Sequence, residues 1–399
     1  MKIALVNNQF QLGGAETVVG QLRSGLVARG HAVELHVAHG KGCPPDVHPL
    51  YPRLLIRLYH SRFNGIAEKV APRFEWMDAA FRRLSKSDAD IIHLHNFHGD
   101  YATIASLAHV ASHKKLVWTF HALWGVTGGC DHPRACLRYL EKCGDCPQVG
   151  TWPVGELDGT ATQLEEKLAL LANKPIHVVA PSEWLAGIVR KSKIGCRWNV
   201  HHIANGADLA GFQPRFREPG GVVTVMIVNR NFSDEQKGFG IALEALGRVS
   251  GSGIKIILAG QNSGWAASRI PSQFEVMDAG FVKDRAKLAE LYAMADIFLF
   301  ASPAENFPCV ILEAMASGCC VVATPSGGVV EQIDHGRSGL LAGEISGQSL
   351  ALPLQNALAS GELRSSLGHA ARQSVIQNFP EHRMVDEYLE LYRKVIDEN

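Results

Sequence analysis

No apolar run in these 399 residues approaches the eighteen or so that a membrane-spanning helix needs, so an integral helical membrane protein is not expected. The first residues, MKIALVNNQF, carry one lysine and a short apolar stretch before Asn7-Asn8, too little for a secretory leader, and a cytoplasmic protein is expected. Gly-x-Gly-x-x-Gly is missing from the first strand-to-helix turn, which reads Gln11-Leu12-Gly13-Gly14-Ala15-Glu16, and a dinucleotide cofactor loses its main support. No Asp-x-Asp leads from a strand into a loop, so the chemistry is expected to run without a metal ion. An excess of one charge is lacking too. Against 39 Lys plus Arg stand 39 Asp plus Glu, and no compact basic run interleaved with aromatics marks a nucleic-acid surface. Internal repeats and low-complexity tracts are also missing.

At 46% apolar and 20% charged residues the chain is an ordinary globular one, and its length suits two α/β domains better than one core. The balanced charge is unevenly placed. Residues 1–200 hold 23 Lys plus Arg against 17 Asp plus Glu, and residues 201–399 hold 16 against 22, so the first half is expected to meet something anionic. Residues 50–90 concentrate this: Arg53, Arg57, Arg62, Lys69, Arg73, Arg82, Arg83 and Lys86 are interspersed with aliphatic and aromatic side chains. That composition suits peripheral docking on the anionic inner face of a membrane.

Strand-like apolar runs at residues 2–6, 31–37, 91–95, 116–120, 176–180, 222–228, 254–260 and 297–301 alternate with helical patterns. The most informative stretch is DIFLFASPAENFPCVILEAMASG, residues 296–318. Ser302-Pro303-Ala304 ends its strand, Pro308 suits the first turn of a following helix, and Gly318 suits the stop. Glu305 in the loop and Glu313 in the helix are expected roughly 9–12 Å apart at about 1.5 Å rise per residue. They would touch opposite ends of an extended ligand whose anionic middle lies on the helix N-terminus. A sugar nucleotide has that shape.

Glu305-Asn306-Phe307-Pro308, Glu313-Ala314-Met315-Ala316-x-Gly318, Val321-Val322-Ala323-Thr324 and Gly327-Gly328-x-x-Glu331 together resemble the donor-site signature of retaining GT-B glycosyltransferases of family four, of the bacterial cell-envelope polysaccharide type. The resemblance implies an α/β fold of two Rossmann-like domains facing a central cleft. Residues 1–207 would bind the acceptor, 208–219 would be a linker, 220–380 would bind the nucleotide sugar, and 381–399 would cross back as a helix. It also implies that Arg230 and Lys237 clamp the donor diphosphate, and that Glu305, Asn306, Phe307, Pro308 and Glu313 hold the rest of the donor. Backbone around Val282 would meet the base, and Gly13 and Gly14 would border the donor. Glu16 would meet the acceptor. His121, ending Thr119-Phe120-His121, would face the transferred sugar, although many relatives carry Asp where this chain has Ala122. Catalysis then falls to His121, Glu305, Arg230 and Lys237, with no cofactor. The implied reaction is hexosyl transfer from a UDP- or GDP-linked donor to a glycan or lipid-linked glycan. A nucleotide-sugar 2-epimerase shares the fold and would consume its donor without an acceptor; a non-catalytic nucleotide-binding scaffold is the third reading.

Four of the nine cysteines fall within seventeen residues as Cys130-x5-Cys136-x6-Cys143-x2-Cys146, and a structural zinc is expected there, with His132 able to replace one thiolate. Their neighbours Asp131, Arg134, Arg138, Glu141, Lys142 and Asp145 are too polar to line a core.

Overall fold

The computed structural model describes residues 1–10, 13–39, 43–52, 73–98, 101–215 and 221–398. Packing divides the chain into two units, Met1–Ile203 with Val385–Asn399, and Ala204–Met384. Among the described residues no helix is long and apolar enough to cross a membrane.

The first unit is built on seven strands: β1 (Lys2–Gln9), β2 (Ala32–His39), β3 (Val47–Pro49), β4 (Ile91–His95), β5 (Lys115–Thr119), β6 (Ile176–Ala180) and β7 (Asn199–His202). They are all parallel, in the order β3-β2-β1-β4-β5-β6-β7. Both faces of β4 are buried, as central parallel strands require when helices cover each side. Helix Gly14–Ala28 turns Val18, Val19, Leu22 and Leu26 inward. The terminal helix Glu381–Asp397 completes this unit with two buried tyrosines: Tyr392 Oη lies 2.6 Å from His93 Nδ1 and Tyr388 Oη lies 2.8 Å from Thr119 Oγ1.

The second unit carries β8 (Val223–Asn231), β9 (Ile254–Gln261), β10 (Glu275–Gly280), β11 (Ile297–Phe300), β12 (Cys320–Ala323) and β13 (Leu340–Leu341). These are parallel in the order β10-β9-β8-β11-β12-β13. Each unit is therefore a doubly wound, Rossmann-like α/β sheet. In such sheets a ligand crevice opens at the carboxyl ends of the two strands where the order reverses, here β1 and β4 in one unit and β8 and β11 in the other.

Three local expectations shift. β8 continues to Asn231 through an irregular register after Val228, so Arg230 sits on the strand rather than in the loop. Pro308 caps its helix in an extended conformation, φ −68° and ψ 125°, instead of entering the first turn. The start of the expected linker is fastened to the second unit. Ala207 N–H donates to Phe379 O at 2.8 Å, Phe212 is buried, and Arg372 donates to Phe212 O and Gln213 Oε1, each at 2.9 Å. Residues 216–220 of that linker, and the basic stretch 53–72, lie outside the described residues.

Candidate active site

In the second unit, the loops after β8 and β11 meet at the reversal. A single 3-10 turn, Glu235–Lys237, brings Lys237 around, and Asp234 Oδ1 secures it by accepting from Gln236 N–H at 3.0 Å. Gly238 follows at φ 72°, where a Cβ would lie 2.0 Å from the Ala301 carbonyl oxygen, so only glycine lets this loop rest on the end of β11. Lys237 Nζ then donates to Glu305 Oε1 at 2.9 Å, and Ser302 Oγ donates to the same oxygen at 3.1 Å. The charge of Glu305 holds the Lys237 ammonium above its ordinary value, against the pull of burial. Arg230, exposed on β8, lies within electrostatic reach of Lys237 and opposes its charge.

Beyond Pro308 runs helix Cys309–Ala316, with Glu313 on its buried side. Arg285 Nη1 donates to Glu313 Oε1 at 3.2 Å, and the Tyr292 hydroxyl, which donates to Val310 O at 3.4 Å, also favours the ionised carboxylate. Burial dominates nonetheless and pushes Glu313 up to about 7. The Gly327-Gly328 turn folds onto the loop: Gly328 N–H donates to Asn306 O at 2.8 Å, Thr324 Oγ1 to Ser302 O at 2.7 Å, and Gln332 Nε2 to Pro308 O at 3.1 Å. Asn306 and Phe307 are buried within this loop, and Val282, half-buried after β10, packs against the same core as Phe307.

In the first unit, Glu16 sits in the first turn of helix Gly14–Ala28 with Gly13 directly behind it. Its Oε1 accepts from Asn96 Nδ2 at 3.2 Å and from Asn7 Nδ2 at 3.4 Å, so it links the ends of β1 and β4 at the reversal of this sheet. His121 follows β5, and its Nε2 lies 3.1 Å from His95 Nδ1. His93, two positions before His95 on β4, continues the chain of contacts to Thr119 Oγ1 at 2.7 Å and to Tyr392. Burial lowers His121 to about 4 and holds His93 and His95 well below the ordinary histidine value. His121 at pH 7 therefore offers a hydrogen bond and no charge.

Lys237, Glu305 and Arg230 are thus brought together, Glu313 has its own partners on the following helix, and Glu16 and His121 belong to the first unit. Sequence reasoning missed Asn7, Asn96, Arg285 and Tyr292. The His93-x-His95 spacing was a usable signal, since it sets both rings on one face of a strand.

Two parallel-sheet units of this kind are the architecture of GT-B glycosyltransferases, whose solved structures this fold matches. A family model described as Glycosyltransferase Family 4 matches residues 12–210, and one described as Glycosyl transferases group 1 matches residues 223–360. The chain belongs to the GT-B glycosyltransferase superfamily that these two models describe. It is 25% identical over 354 residues to the putative colanic acid biosynthesis glycosyl transferase WcaC of Escherichia coli, covering 82% of this chain and 84% of that protein. Its fold is similar to sucrose-phosphate synthase from Thermosynechococcus elongatus, with a TM-score of 0.73 and 19% identity over 100% of both chains. It is also similar to Anabaena HepE in complex with UDP-glucose, with a TM-score of 0.67 and 18% identity over 99% of this chain and 100% of that one.

Proposed function

We propose that the chain moves a hexosyl group from a UDP- or GDP-linked sugar to a glycan or lipid-linked glycan in cell-envelope polysaccharide biosynthesis, with retention of anomeric configuration and without a metal ion. The observation that carries this reading is the Lys237–Glu305 pair beside Arg230, at the strand-order reversal of the second unit. When the donor enters, Lys237 exchanges Glu305 for the diphosphate, Arg230 joins it, and the amino end of helix Cys309–Ala316 adds partial positive charge. Glu305, released, accepts from hydroxyls of the sugar, while ionised Glu313 accepts from hydroxyls of the ribose. The bond from C1 to the β-phosphate oxygen breaks as the acceptor oxygen bonds C1 on the same face, and the acceptor proton passes to the departing phosphate. Fixed cations that meet this developing charge are what lower the barrier.

The name of the relative WcaC supports an envelope polysaccharide, and the donor held by HepE makes UDP-glucose the first to try. The test is a panel of UDP and GDP sugars with glycan acceptors, following nucleoside diphosphate release and the product anomer by NMR. Retention in an acceptor-dependent reaction is expected. Inversion at C2 of the donor sugar without acceptor would establish the epimerase instead, and calorimetry that detects neither UDP nor GDP binding would establish a scaffold. Membrane docking is read separately by vesicle co-sedimentation. Anionic vesicles at low salt retain the protein, and replacing Arg82 and Arg83, exposed in the last turn of helix Arg73–Ser85, weakens retention.

A further inference from the structure

Between His121 and the helix Thr160–Leu171 the chain makes a polar excursion whose only regular pieces are short 3-10 turns, Trp124–Val126 and Arg138–Leu140. Cys130, Cys136, Cys143 and Cys146, separated by up to sixteen positions in sequence, line one cavity of about 20 Å³ together with Gly128 and Tyr139. None is in a disulfide. A cavity that size admits about one ion or one water molecule.

The backbone is shaped around these sulfurs. Cys143-Gly144-Asp145-Cys146 turns through two left-handed residues, Gly144 at φ 128° and Asp145 at φ 44°, which brings the paired cysteines to one side. Gly128 N–H donates to the Cys143 sulfur. A Cβ on Gly128 would lie 2.8 Å from Cys143 Cβ and 2.3 Å from Thr160 O, so this approach requires glycine. Asp158 ties the far end, accepting from Cys146 N–H at 2.8 Å and from Thr160 N–H at 3.0 Å.

Lys167 supplies the independent observation. Its side chain is fully buried, its Nζ donates to Trp124 O at 2.6 Å and Thr127 O at 2.9 Å, and it lies 3.5 Å from the Trp124 ring centroid. Among the described residues it has no ion-pair partner, and an uncompensated buried ammonium is costly. Burial opposes its charge and lowers its pKa to about 7, and Cys130, Cys143, Asp131 and Glu166 all stand within electrostatic reach. Four thiolates around a divalent ion carry a net charge of about −2, and a buried cation beside them is then balanced rather than stranded.

We infer that Cys130, Cys136, Cys143 and Cys146 hold one structural zinc ion and that Lys167 is its buried counter-cation. Among the described residues no three His, Cys, Asp or Glu side chains already stand in metal-binding geometry, so binding draws the four sulfurs inward around the cavity. Four thiolates leave no open coordination position, so the ion orders this excursion and does no chemistry.

The experiment uses the full chain purified without a metal-affinity tag. Elemental analysis is expected to give about one zinc per chain, released by a mercurial thiol reagent as four thiols become titratable. Cys143→Ser loses the ion, while Cys196→Ser, at an exposed cysteine outside the cluster, keeps it. Lys167→Met loses zinc to a chelator at no more than a tenth of the wild-type chelator concentration. Because Cys143→Ser risks misfolding, the decisive measurement is on the wild type: folded, metal-free protein with four reactive thiols overturns the inference, and so does iron in place of zinc. UDP affinity of the second unit is a separate readout, so the fate of the donor-site reading is distinguished from that of the zinc.

Discussion

Glu313 is held where its charge is disfavoured, and that has a cost that can be measured. Its folded value of about 7 lies above the unfolded value of 4.5, so between these pH values the native state keeps a proton that the unfolded chain has lost. Stability therefore falls as pH rises from about 4.5 to about 7, by on the order of 3 kcal/mol at one 1.36 kcal/mol step per unit. Glu313→Gln, which cannot ionise, is expected to raise the melting temperature at pH 8 and to change it little at pH 4.5, while weakening UDP binding. An equal shift at both pH values would refute the buried carboxylate as the cause. Lys237→Ala is the complementary case. It removes the cation expected on the departing diphosphate and should lower kcat by about a hundredfold or more, with the circular dichroism spectrum unchanged. Near-normal turnover would remove Lys237 from the machinery.

At the scale of elements, the β8 loop depends on one backbone position. Gly238→Ala places a methyl group against the Ala301 carbonyl at a positive φ, so the loop carrying Lys237 must lift away from β11. A displacement near 1 Å in such a loop is expected to lower activity by about a hundredfold, with a smaller loss of stability; unchanged kinetics would show that the loop is not registered by this contact. The elements themselves were legible in the sequence because parallel strands buried on both faces read as unbroken apolar runs, and residues 176–180 were placed to the residue. Ser182, extended before the helix Glu183–Lys191, caps it by accepting from Leu185 N–H at 3.1 Å. The continuation of β8 beyond residue 228 to Arg230 was not legible, because nothing in Asn229-Arg230-Asn231 says that the strand goes on past an irregular register. The local turn chemistry around Glu305 was visible, but its closure by Gly328 onto Asn306 was not. Nor was Arg285 on Glu313, since partners 28 residues apart leave no periodic trace.

At the scale of the whole chain, acid should act on the two units in opposite senses through these buried groups. His93, His95, His121 and His201 all have lowered values in the first unit, chiefly from burial, with His121 and His201 at about 4. The unfolded chain takes up protons near 6.5 that the folded unit refuses, so stability is lost there as pH falls from about 6.5 towards 4. Over the same range Glu313 in the second unit gains. Six of the seven tryptophans precede residue 204, and only Trp265 belongs to the second unit. Tryptophan fluorescence is therefore expected to change at a higher pH than the last of the far-UV circular dichroism, and coincident transitions would contradict this. The return of Val385–Asn399 to the first unit also sets an order of events during synthesis. The second unit is one continuous stretch and can finish folding as it leaves the ribosome, whereas the first, though translated earlier, waits for a segment encoded after it. Until Tyr388 and Tyr392 arrive, His93 and Thr119 lack their hydroxyl partners, and the nascent amino-terminal sheet is left without the helix that covers them.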